Sequence, residues 1–274
     1  MVVGITALAG AVTAGIARSL GEHHEEGLRV WMIAGGAIFT LVGVTGLLGL
    51  SPAVAWSLLL VGSMFAARVV PALAIDVPDQ LLIDLERLAV TAWSARDRPR
   101  GRRGRAVASP AAVATVAACG TRLVTAASVA VAVVAIVSAE MLLAVVTSTM
   151  DEIGARCLVF FVGGALLLAA RSYRHVAARA LLRVGGLGCW AGLATEMFRE
   201  SEGAWVSVVW AVAIAVAALL VVVAVATGRG WRSAWWARRA EVAESLCGAA
   251  ALASVFVAVG LFQRVWELTS TVAK

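Results

Sequence analysis

"LVTAASVAVAVVAIVSAEMLLAVVTS" occupies residues Leu123 to Ser148, and its single charge is Glu140. The hydrocarbon core of a bilayer is about 30 Å thick, so a helix rising 1.5 Å per residue crosses it in roughly 20 apolar residues. No water is present there to bond an open backbone, so a run of this kind must satisfy its own N–H and C=O groups as a helix. Similar runs recur along the chain. Candidate spans lie at about 2–17, 30–50, 53–75, 123–148, 155–170, 181–197, 204–227 and 246–263. The sequence therefore predicts an all-α, polytopic transmembrane helix bundle of about eight spans. Residues 1–75 carry three of them, 76–122 form a long loop, and 123–274 carry the other five.

Composition agrees. The 274 residues are 61% hydrophobic, with mean hydropathy +0.92, whereas a soluble domain is nearer half apolar. Of the 23 basic residues only Lys274 is not arginine. With abundant Ala, Val and Gly, this fits a GC-rich, actinobacterial genome. Cys119, Cys157, Cys189 and Cys247 form no CxxC and lie in or beside apolar segments, so they read as structural thiols. The first segment has no basic residue before Arg18, which makes it a membrane helix rather than a signal peptide.

Arginine placement sets the orientation. Segments 18–29, 76–122, 171–183 and 228–240 hold 2, 8, 4 and 4 arginines. The opposite side carries only Arg156, Arg199, Arg264 and Lys274. The first set is expected in the cytosol, with both termini outside and 76–122 as the one long cytosolic loop. An external N-terminus without a signal peptide raises the expectation that an upstream part is absent.

Within that loop, Leu81, Leu85 and Leu88 fall at helical spacing opposite Asp84 and Arg87, the pattern of an amphipathic helix. "SARDRPRGRRGR", Ser94 to Arg105, follows with Arg96, Arg98, Arg100, Arg102, Arg103 and Arg105. The block has no interleaved aromatics for base stacking, so no nucleic-acid partner is expected. Ser109 then reads as a helix cap and Pro110 as a first-turn residue. A single helix is expected to run from there through the fourth span.

Candidate chemistry is sparse. No Walker, GxSxG, GxGxxG or zinc spacing occurs, so neither an enzyme nor a cofactor or metal is expected. "EHHEE", Glu22 to Glu26, reads as a solvated turn. Arg68 and Glu140 are ionisable groups inside spans, which are functional candidates by default. They sit at opposite depths, so a direct pair between them is not expected. Gly188 and Gly192 form a GxxxG suited to close helix packing, within the bundle or at a dimer face.

Several stretches carry a family resemblance. "WWARRAEVAESLCGAAALASVFVAVGLFQRVWEL", Trp235 to Leu268, has a basic stretch at Arg238 and Arg239, then an acidic pair at Glu241 and Glu244. It closes on Gly260, Leu261, Phe262 and Arg264. "RVVPALAI" (68–75) is a proline-containing span end before the long loop. "TRLVTAASVAVAVVA" (121–135) opens the span after it, and "ARSYRHVAARALL" (170–182) is a short basic turn. In that order they resemble the EccD family, the polytopic component of type VII secretion systems. The family has a ubiquitin-like domain and eleven spans; this chain shows no such domain, and its spans match the last eight.

The resemblance implies a structural subunit in the cell (inner) membrane, packed as a homodimer in membrane lipid. It implies docking of an FtsK-like ATPase and other secretion-complex subunits through cytosolic elements. Leu81, Leu85, Leu88, the arginines from Arg96 to Arg105, and Arg238, Arg239, Glu241 and Glu244 would form the docking surface. A stand-alone transporter or permease is the alternative.

Overall fold

The computed structural model describes residues 2–19, 25–73, 110–200 and 234–262, with isolated positions between 207 and 222. Seven long helices occur among them: α1 (Val2–Ser19), α2 (Glu25–Leu47), α3 (Pro52–Leu73), α4 (Pro110–Val145), α5 (Thr149–Ala169), α6 (Val176–Glu200) and α7 (Ala234–Ala258). A single 3-10 turn, Ala170–Ser172, links α5 to α6. Each long helix has the length and apolar composition to cross a membrane. The span predicted over 204–227 falls mostly outside the described residues, as do His23, His24 and the loop from 74 to 109.

Local chemistry sets the boundaries. α4 runs unbroken through Gly120 for 36 residues, about 54 Å at 1.5 Å per residue. Three residues separate it from α5. Asp151 and Glu152 lie in the first turn of α5, where carboxylates complement the positive end of the helix dipole. Glu152 also pairs with Arg156 one turn on. α7 begins at Ala234, twelve residues before the predicted start at 246. The sequence reading ended the span at its charges. Arginine and glutamate are good helix formers, and Glu244 is partnered in the fold, so the helix continues through them.

The helices pack as a bundle with α3, α4 and α5 at its centre. Leu60, Met64, Leu142, Leu158, Val162, Leu166 and Leu182 fill the core between them. α1 and α2 form an antiparallel hairpin, pressed close where Gly35 meets the Ala7 carbonyl. α4 and α6 run parallel, and α5 packs antiparallel along α7. Large apolar side chains remain outside the bundle, among them Ile5, Val12, Ile33, Phe65, Val137, Phe160 and Phe256. Apolar groups on both the inner and outer faces are the mark of a bundle surrounded by lipid.

Contacts sort the helix ends. Arg68 of α3 and Arg171 after α5 meet Glu244 of α7, and Thr125 of α4 lies 3.5 Å from His175. At the opposite end Gly154 packs on Ala258, and Gly260 lies against Asp151. Among the described residues, the end of α3, the α5–α6 turn and the first turns of α7 thus meet at one end.

Candidate functional site

Three chain segments meet at the arginine-rich end: the last turns of α3, the α5–α6 turn and the first turns of α7. Each lies in a stretch that carries the family resemblance.

The geometry starts from a proline. Pro71 lies inside α3. It has no N–H, so the Ala67 carbonyl, four residues earlier, loses its helical donor. Ala67 is buried, and a buried carbonyl left unpaired is costly. The Tyr173 hydroxyl replaces the missing donor, bonding the Ala67 oxygen at 2.5 Å. Tyr173 is itself buried, and desolvation pushes its phenol up from 10.0 to about 12. It stays a neutral donor over the whole physiological range.

Beside this bond lies an ionic cluster. Arg68 Nε is 3.1 Å from Glu244 Oε1, and Arg68 Nη2 donates to the Glu244 backbone carbonyl at 3.2 Å. Arg171 Nη2 reaches the other carboxylate oxygen at 3.5 Å. An unpaired carboxylate inside a span is expensive; here two guanidiniums from two other elements neutralise it. The Thr125–His175 contact ties α4 to the same turn. At the start of α7, Arg239 stacks over the Trp235 ring at 3.5 Å.

The other candidates fall elsewhere. Gly188 lies against Ile136, and Gly192 against the Glu140 carboxylate, both at the α4–α6 contact. Glu140 is thus at the opposite end from Arg68. Glu241 and Arg238 are exposed. Leu81, Leu85, Leu88, Arg96, Arg98, Arg100, Arg102, Arg103 and Arg105 lie outside the described residues. Among the described residues no group of His, Cys, Asp or Glu could hold a metal ion.

Sequence reasoning missed Arg171 and Tyr173 as site residues, and it missed the partner of Glu244. Two signals pointed to them. A carboxylate entering a span needs a cation at the same depth, and Arg68 lies within the predicted span 53–75. A proline inside a span frees a carbonyl, and the chain's single tyrosine stands in a basic turn.

The family model described as the EccD-like transmembrane domain matches residues 1–268. The chain belongs to the EccD family. As an EccD-type protein it is a multi-pass cell-membrane protein and a membrane subunit of ESX-type secretion. The family is a structural component of these systems and is not known for catalysis. No curated protein matches the chain. The EccD match covers all three segments that meet around Glu244.

Proposed function

We propose that this chain is a scaffold of its secretion complex, packing as a homodimer and holding an FtsK-like ATPase and other membrane subunits at its arginine-rich end. The cluster of Arg68, Glu244, Arg171 and Tyr173 supports this reading. It fixes the end of α3, from which the chain enters 74–109, against α7 and the α5–α6 turn. A docking loop needs a rigid stem if a partner's force is to reach the membrane bundle. In this role Leu81, Leu85 and Leu88 pack on a partner, and the arginines from Arg96 to Arg105 meet its acidic surface. Arg238, Arg239 and Glu241 on α7 belong to the same docking surface in this reading. The chain supplies geometry, and the ATPase supplies the energy.

The test is a pull-down of the tagged chain from its own host in mild detergent, with mass spectrometry of what accompanies it. Recovery of a membrane-bound FtsK-like ATPase and further secretion subunits is expected. Reversing the charges from Arg96 to Arg105 should lower that recovery while membrane insertion is kept. Recovery of the chain alone would overturn the scaffold reading, and unchanged recovery after charge reversal would overturn the docking role of the loop.

A further inference from the structure

We propose that Glu140 is a charge anchor inside the membrane, pairing with a lysine or arginine carried on a transmembrane span of another subunit. The site is separate from the Glu244 cluster and from the loop between α3 and α4.

The first reason is that the carboxylate faces out of the bundle without a partner. Glu140 lies within the apolar stretch Ala117–Val145 of α4 and is exposed. Among the described residues it makes no ion pair and no hydrogen bond. The arginines Arg156 and Arg199 pair with Glu152 and Glu196 instead. A charged group inside a span is costly unless something pairs with it. Rotation of α4 cannot bring Glu140 inward, because Ala139 and Leu142 beside it are packed in the core.

The second reason is its setting on the helix. Val133, Val137 and Ala144 stand seven and three residues before Glu140 and four after it, so all share one face of α4. All three are exposed, as is Met141. The carboxylate is therefore centred in an outward apolar stripe and bracketed by it on both sides. A helix with one cation among apolar residues complements that pattern along its length, whereas a lipid amine complements only the charge. Cα–Cβ bonds tilt toward the helix N-terminus, which aims Glu140 back along the span and away from its nearer end at Val145.

The third reason is the seat. The carboxylate lies against Gly192 of α6, where a Cβ would collide with it. The missing side chain leaves the acceptor in the groove between α4 and α6, and small residues of this kind let a further helix approach closely.

The test places a photo-crosslinking residue at Val137 or Met141 of the full chain in the membranes of its own host, and mass spectrometry maps what is joined to it. A cross-link to a span of another polypeptide is expected, with a lysine or arginine within about one turn of the joined residue. Glu140→Gln should lower its yield roughly tenfold, the size of one charge-assisted contact. Glu140→Arg should abolish it, and exchanging the partner's cation for glutamate should restore it in the Glu140→Arg background. A folding defect could not be rescued in this way. Cross-links to lipid alone, to a second copy of this chain or to a span without a cation would overturn the proposal. So would an unchanged yield in Glu140→Gln, or failure of the exchange to rescue.

Discussion

Tyr173 shows how one residue can answer for another more than a hundred positions away. Pro71 creates an acceptor without a donor, and Tyr173 supplies the donor. Tyr173→Phe should therefore cost about 1–3 kcal/mol, the penalty of an unsatisfied buried carbonyl. Pro71→Ala restores the backbone N–H, so the same substitution should cost far less in that background. Reversible unfolding of the four proteins in detergent measures the coupling, and purely additive costs would contradict it. The phenol also predicts a pH dependence. Its folded value of about 12 stands above the ordinary 10.0, so its contribution is intact below pH 10 and is lost as pH rises through about 12. The chain has one tyrosine, so the ultraviolet tyrosinate signal reports this group alone. A midpoint near 10 in the folded protein would refute the buried bond.

At the scale of elements, spans were the most legible feature, because apolar length alone dictates a helix in lipid. α1 to α3 follow the runs at 2–17, 30–50 and 53–75, and α4 runs from Pro110 into the run at 123–148, as expected of one helix starting there. Boundaries failed where charge entered a span. The start of α7 was set too late because nothing in its own sequence announces that Glu244 has a partner 176 residues away. Glycine placement was half legible. Gly188 and Gly192 stood out by spacing and do lie at a helix contact, but the tight backbone approaches are at Gly154, Gly35 and Gly186. A Cβ on Gly154 would come within 2.5 Å of the Ala258 backbone nitrogen, and one on Gly186 within 2.7 Å of the Gly163 carbonyl. Backbone cannot move aside, whereas the Glu140 carboxylate facing Gly192 is the far end of a pliant side chain. Gly154→Ala and Gly186→Ala should each cost about 1–3 kcal/mol, and Gly192→Ala clearly less. Equal losses in detergent unfolding would show that helix separation is not set at these points.

At the scale of the molecule, the arginine count divides the chain into two sides, and among the described residues Arg68, Arg171 and the first turns of α7 meet at one end. The composition of the cluster was not legible in this way. Arg68 reads as an ionisable group inside a span and Glu244 as one of an acidic pair, and only tertiary packing joins them. Their interaction lies between the ~0.2–1 kcal/mol of an exposed pair and the ~3–5 kcal/mol of breaking a buried one. Partial exposure and the membrane interface favour about 1–2 kcal/mol.

The central claim is that this ionic join holds the docking end in shape for the rest of the secretion complex. The most direct measurement is recovery of partner subunits with the tagged chain, comparing wild type, Glu244→Arg and the swap Arg68→Glu with Glu244→Arg, each at equal membrane insertion. The account predicts that Glu244→Arg, which sets three cations together, loses the partners. The swap should regain much of that recovery, because one opposite-charge pair is restored. Full recovery with Glu244→Arg alone would contradict it.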